Sequence, residues 1–493
     1  MFTSSLLLLG LAVASAVGVA QKPIAVHTDA YSSYDAGLFR PMEDLSLLST
    51  SGFTTLGHPL FPNYNVRIKK SEFCDGTVNA YTGYIDVEAR HLFFYFFESR
   101  SKPEEDDVIF WTNGGPGCSS SAGLFMELGP CRVNDVHNVT FNPYSWNEKA
   151  NVFFIDQPIG VGFSYADHGE YVSTTEEAAV DVASFVAIFF EHFSDFKGRP
   201  FHMAGESAGG RFIPVFASTV YEQNAKLIAA GATPVNLDSA MIGNGCTDWK
   251  AMMSSWYTLM CQPTHLDPIS DISTCVGMKQ RLSRCEKWFQ EACYDTSDAI
   301  NCNAALAFCA TITDGPFNAA GINPYDITKS CTPEELEDSL CYPIMKKMSA
   351  FLDRPDIRKT IGVDASRGNF SMCNMEVNAR FEAKLDHIFP TQLYISALLE
   401  RGVRVLIYVG ANDWACNWVG NERMTLALEW TGQDEFAAQP LREWKVGGQK
   451  AGLTRSAGPL TFVTIDGAGH MAPYDKGEES LEIVKRWLAK EEL

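Results

Sequence analysis

Gly205-Glu206-Ser207-Ala208-Gly209 lies between an apolar stretch, Phe201–Gly205, and Phe212-Ile213-Pro214-Val215-Phe216, which opens a helix. No other segment constrains the fold as tightly. Small residues around a lone serine allow a sharp strand-to-helix turn that lifts its hydroxyl clear of a sheet. A G-x-S-x-G pentapeptide alone reads more readily as an ordinary Gly-rich turn. Its context and the residues that could partner Ser207 therefore have to decide.

Tyr81–Val87 and His91–Phe97 read as two strands joined by a tight acidic turn. Val108–Thr112, Val152–Asp156, Val403–Gly410 and Leu460–Ile465 are short apolar runs, and Thr175–Phe193 has helical spacing at Ala178, Val182, Phe185, Val186 and Phe189. Buried strands alternating with helices predict a mostly parallel sheet covered on both faces. A serine hydroxyl needs a base, and the base needs an orienting carboxylate. Asp413 falls just past Val403–Gly410, and His470 follows Leu460–Ile465 within Gly467-Ala468-Gly469-His470-Met471. The order Ser207, Asp413, His470 is that of the α/β-hydrolase fold. Asn113-Gly114-Gly115-Pro116-Gly117, after its own strand, offers backbone N–H groups to a developing oxyanion. Together these parts read as a serine hydrolase.

The remaining features set its surroundings. Leu6–Ala20 is apolar and free of charged residues, ending in small ones, so residues 1–20 read as a signal peptide rather than an anchor. That route makes disulfides the default for the fourteen cysteines. Cys261, Cys275, Cys285, Cys293, Cys302, Cys309, Cys331 and Cys341 crowd one segment, where strand alternation fades. Such a segment buries little core, so cross-links are expected to replace it, in a cap over the sheet's carboxyl edge. The expected divisions are 1–20 signal peptide, 21–60 pro-segment or N-terminal extension, 61–250 and 346–493 the two parts of the core, and 251–345 the disulfide-stapled cap insertion. Sequons at Asn138 and Asn369 suit the secretory route. Cys-x-x-Cys and His-Glu-x-x-His are both missing, so no metal is expected, and nothing calls for a cofactor. A formal charge of -21 disfavours nucleic acid and anionic membrane. Lys490-Glu491-Glu492-Leu493 nearly matches an ER-retrieval signal, but reads better as the end of an amphipathic helix over Leu481–Leu493. Secretion is the expected destination, with a vacuolar or lysosome-like compartment as the alternative.

Trp111-Thr112-Asn113-Gly114-Gly115-Pro116-Gly117-Cys118-Ser119-Ser120, Gly205-Glu206-Ser207, Leu406-Ile407-Tyr408 through Asp413 to Cys416-Asn417-Trp418, and Gly469-His470-Met471 carry a further signal. At these residues the sequence resembles the serine carboxypeptidase family of the carboxypeptidase Y type, over about residues 80–480. The resemblance implies Ser207 as nucleophile, His470 as base, Asp413 as its orienter, and an oxyanion hole of the Gly115 and Ala208 amides. It implies that Asn113, Gly114, Glu127 and Glu206 bind the terminal carboxylate of a peptide or protein. Two glutamates serve that purpose if the group shares a proton, because crowded, buried carboxyls raise one another's pKa. The resemblance also implies the pairs Cys118–Cys373, Cys261–Cys275, Cys285–Cys309, Cys293–Cys302 and Cys331–Cys341, and a free thiol at Cys416. Cys74, Cys131 and Cys246 stay unassigned. Ala208 replaces the family's usual tyrosine, Arg211 adds a charge nearby, and Ala411-Asn412 replaces a more acidic pair. The expected activity is stepwise release of C-terminal residues through an acyl-enzyme at acidic pH. An acyltransferase or esterase is the alternative within the fold, and a non-catalytic binding protein the alternative outside it.

Overall fold

Arg90–Phe97 carries Leu92-Phe93-Phe94-Tyr95-Phe96-Phe97, all buried. Successive side chains leave a strand on opposite faces, so an unbroken apolar run needs cover on both sides. In the computed structural model, which describes residues 39–493, Phe94 and Phe96 pack into one core layer and Phe93, Tyr95 and Phe97 into the other. Each such ring contributes roughly 1.5–3 kcal/mol on burial. The signal-peptide reading of residues 1–20, and the stretch from there to residue 38, fall outside the described residues.

Among the described residues thirteen strands form one sheet. Its middle is parallel, in the order Ala150–Ile155, Asp107–Thr112, Phe201–Ser207, Leu237–Gly245, Arg404–Gly410 and Leu460–Ile465. Antiparallel strands flank it, and the outermost on one side, Thr54–Gly57, pairs Thr54 with Ile68. Part of the segment read from sequence as an N-terminal extension is therefore an edge strand. Helices Thr175–His192 and Gly209–Ala229 cover one face, and Ile344–Leu352 and Gly477–Ala489 the other. The first begins where Thr174 accepts from the Glu177 N–H, which satisfies a free helix-end donor. The last starts ahead of the expected Leu481 and stops at Ala489; Leu493 is buried, and its carbonyl accepts from the Arg442 guanidinium. No helix among the described residues is long and apolar enough to cross a membrane.

The cysteine-rich segment differs from expectation. It contains helices Trp249–Cys261, Ile272–Phe289 and Ala299–Ala320, whose Met252, Trp256, Met278, Phe289 and Phe317 form a buried cluster of their own. Cross-links thus add to a core here rather than replace one. Cys261–Cys275, Cys285–Cys309, Cys293–Cys302 and Cys331–Cys341 lie within the segment. Elsewhere Cys118 bridges Cys373, Cys74 bridges Cys131, and Cys246 bridges Cys416. The free thiol expected at Cys416 is not there: the unassigned Cys246 takes it up, across a gap of 170 residues that no sequence spacing reveals.

Candidate active site

Six parallel strands end on one edge, and the candidate residues come from the loops that follow them. Ser207 closes Phe201–Ser207 with φ of 61°, a left-handed conformation that costs a non-glycine residue on the order of 1 kcal/mol or more. Two glycines let other segments close around it. A Cβ on Gly114 would lie 2.5 Å from the Ala208 nitrogen and 2.7 Å from the Ser207 Cβ. One on Gly210 would lie 2.6 Å from the Gly245 Cα. The Asn113–Gly117 loop and the following helix can therefore press directly on the turn.

Asp413 is fully buried and surrounded by donors. Its Oδ2 accepts from His470 Nδ1 at 2.8 Å, Asn244 Nδ2 at 2.9 Å and the Cys416 N–H at 3.2 Å. Its Oδ1 accepts from the Ala415 N–H at 3.0 Å. Asn244 is fixed in turn, because its Oδ1 accepts from the Gly410 N–H at 3.0 Å. The sequence reading had not singled it out, although Gly243-Asn244-Gly245 at a strand end was an available signal. The hairpin of Ile322–Asn323 and Asp326–Ser330 reaches over this edge. The Pro324 carbonyl accepts from the Trp414 and Ala415 amides, and the Tyr325 carbonyl accepts from the His470 N–H at 2.7 Å. The Tyr325 ring also lies 4.9 Å from the His470 imidazole.

Ser207 and His470 line one cavity with Asn113, Gly114, Gly115 and Glu206. Behind it Asn113 Nδ2 donates to Glu206 Oε1 at 2.8 Å and to Glu127 Oε1 at 3.3 Å. The Asn113 side chain cannot turn, since its Oδ1 accepts from Trp111 Nε1 and the Gly123 N–H. Glu127 arrives on one wide turn, Gly123–Glu127, closed by the Leu128 N–H on the Gly123 carbonyl. Both carboxyls are buried and close enough to perturb each other, and burial pushes both well above the ordinary carboxylate range. Their Oε2 atoms have no hydrogen-bond partner among the described residues. Asp156, a second group the sequence reading left without a role, steadies the loop ahead of that turn. It accepts from Ser119 Oγ, the Ser120 N–H and the Phe163 N–H, and burial raises it to about 6.

The departures from the family pattern resolve into contacts. Arg211 turns into the interior and pairs with buried Asp386 at 2.8 Å, while Thr175 donates to the same carboxylate. Asn412 meets the insertion, with its Oδ1 3.0 Å from His265 Nε2 and its carbonyl accepting from the Ile327 N–H. Among the described residues, the one cluster with metal-ligand composition is Asp413, Cys416 and His470. The sulfur of that cluster is held in the bridge to Cys246. Asn138 and Asn369 are both exposed.

The family model for serine carboxypeptidases matches residues 73–490. Carboxypeptidase Y homolog A of Talaromyces stipitatus is 40% identical over 424 residues, covering 85% of this chain and 74% of that protein. Carboxypeptidase Y of Komagataella phaffii is 38% identical over 434 residues, covering 87% and 80%. A prohormone-processing carboxypeptidase from Saccharomyces cerevisiae shares the fold, with a TM-score of 0.73 at 23% identity over 90% of this chain and 97% of that one. With a family model over residues 73–490 and relatives of this identity and extent, the chain belongs to the serine carboxypeptidase family.

Proposed function

We propose that this enzyme removes residues one at a time from the C-terminus of peptides, through an acyl-enzyme on Ser207. The observation that carries the reading is the buried Glu127–Glu206 pair, tied by Asn113, with Glu206 and Asn113 lining the cavity that Ser207 and His470 share. An endopeptidase or simple esterase has no use for a protonated carboxyl pair one residue from the nucleophile. His470 takes the Ser207 proton as the hydroxyl attacks the last peptide bond, and Asp413 holds the imidazole in the tautomer that allows it. The Gly115 and Ala208 amides meet the oxyanion. His470 then protonates the departing amino acid, and water attacks the acyl-enzyme by the same route. The terminal carboxylate sits against the Gly114 amide, Asn113 and the glutamate pair, which donates to it while it retains a proton. Leu340, Met345, Met372 and Met471 also line the cavity and suit an apolar terminal side chain. The helical insertion at 251–345 acts as the cap through its hairpin. Exposed sequons and a bridged set of cysteines fit the secretory route.

Two assays test this. A fluorophosphonate is expected to label Ser207, which separates enzyme from binding protein. Mass spectrometry of a digested peptide should show a ladder shortened only from the C-terminus, and faster below an apolar terminal residue than below an acidic one. Internal cleavage, or equal turnover of C-terminally amidated peptides, contradicts the carboxylate site.

The pair also dictates a pH dependence. Its folded-state pKa values are raised, so it stays protonated at acidic pH and loses its proton as pH climbs through the raised range. Peptide kcat/KM is therefore expected to be highest at acidic pH and to fall on the alkaline side through KM, by repulsion of the substrate carboxylate. Hydrolysis of an ester substrate should persist to higher pH. Glu127→Gln removes the neighbour whose charge and hydrogen bond add to burial in raising Glu206, so the alkaline limb for peptides should move to lower pH. Matching profiles for peptide and ester would remove the basis for the pair's role. Linkage has the same sign: unfolded glutamates titrate near pH 4.3, so this pair's contribution to stability is full below that pH and declines as pH rises through the raised values.

A further inference from the structure

Two groups on neighbouring strand ends hold the proposed triad together, and a covalent bridge joins them. Cys246 donates its N–H to the Ser207 carbonyl at 2.9 Å. Cys416 donates its N–H to Asp413 Oδ2 at 3.2 Å, and its Sγ lies within 4.8 Å of that carboxylate and of a His470 ring nitrogen. Asn244, two residues before Cys246, donates to the same Asp413 oxygen. The nucleophile's backbone is thus fastened to one half-cystine and the aspartate to the other. We propose that Cys246 and Cys416 are positioning residues for the triad, and that reduction of their bridge by a dithiol lowers turnover.

The argument is one of packing. Unbonded sulfurs keep van der Waals separation, so reduction obliges the two loops to move apart. Cys416 is buried with 1% exposure, and close-packed surroundings leave its sulfur no room to retreat alone. The displacement passes into the amides on Ser207 and Asp413. Cys246 is partly exposed, which gives a reductant access. A thiolate of the dithiol attacks the Cys246 sulfur, breaking the bridge and releasing Cys416 as a thiolate that takes up a proton. The reductant's second thiol then closes its own disulfide and frees Cys246 as a thiol, two electrons having passed to the enzyme. Asn113, Gly114 and Glu127 lie on other segments, and Glu206, one residue before Ser207, is held by Asn113, so binding should be largely spared.

This inference rests on the roles proposed above for Ser207 and Asp413, and its test separates the two. The Cys246→Ser/Cys416→Ser enzyme is compared with Cys293→Ser/Cys302→Ser, which removes a bridge inside the insertion. The first is expected to lose roughly tenfold to a hundredfold in kcat and in the rate of fluorophosphonate labelling, with KM within about twofold, because misplacement by about 1 Å costs on that order. The second should keep its kcat at a temperature where both are folded. Should the first variant not fold, the wild-type enzyme is titrated with dithiothreitol, each aliquot being assayed and then trapped by alkylation for mass spectrometry. Loss of kcat should follow thiol appearance at Cys246 and Cys416. Unchanged kcat with that bridge open, or loss that follows another bridge, overturns the inference. Wild-type enzyme that does not label at Ser207 overturns the underlying reading instead.

Discussion

Ser207→Ala is expected to lower kcat for a C-terminal peptide bond by about 10⁶-fold while leaving the protein folded and able to bind a product peptide. One oxygen is removed, and the strained backbone at φ 61° is the same for alanine as for serine, so stability changes little. The amides of Gly115 and Ala208, the Asn113-held glutamate pair and His470 all remain in place. Triad members act as a unit, so losing the nucleophile removes nearly all of what the triad contributes. What remains is the oxyanion hole and binding, worth about 10³–10⁴ over water. Single-turnover assays and calorimetry with a product peptide check both halves. Residual activity within a hundredfold of wild type would mean that the nucleophile lies elsewhere.

Asp413→Asn should cost about 10⁴-fold in kcat, and here stability should fall too. Every contact of this side chain requires an acceptor. Oδ2 faces His470 Nδ1, Asn244 Nδ2 and the Cys416 N–H, while Oδ1 faces the Ala415 N–H. Asparagine must direct its NH2 at one set or the other. Asn244 cannot reverse to help, because its own oxygen is held by the Gly410 N–H. With the NH2 toward His470, the imidazole carries its proton on Nε2 and cannot accept one from Ser207. With the NH2 toward Ala415, two donors meet in a buried site. Either arrangement leaves groups unsatisfied at about 1–3 kcal/mol. Denaturant unfolding beside kcat measures both, and Asp413→Asn with near-normal turnover would remove the aspartate from its proposed role.

Much of this was legible before the fold was seen, where a single physical pattern dominated. Leu460–Ile465, apolar but for Thr461 and Thr464, occupies those residues in the sheet. Thr175–His192 kept its helical spacing over several turns. Leu237–Gly245 was illegible because its polar residues have uses that only the fold discloses. Ser239 Oγ lies 2.7 Å from His202 Nδ1 and accepts from Trp487 Nε1, and Asn244 serves Asp413. In the insertion, the cysteines drew attention from helical spacing at Met252, Trp256 and Leu259. For Cys246 and Cys416 nothing local could have served: their meeting depends on two strands lying side by side in the sheet. Glu127 was found through family resemblance alone, since its setting reads as one polar position on a helix.

The hairpin over the catalytic edge has a consequence for how such enzymes diversify. It holds the Asp413 loop and His470 through the carbonyls of Pro324 and Tyr325, which are main-chain groups that any residue supplies. Substitutions in the insertion that spare its buried cluster and the Tyr325 ring beside His470 can therefore accumulate without moving those two carbonyls. A change in the length of the hairpin cannot, because it carries both carbonyls out of register. The span of this roof is therefore fixed more tightly by the fold than its sequence is.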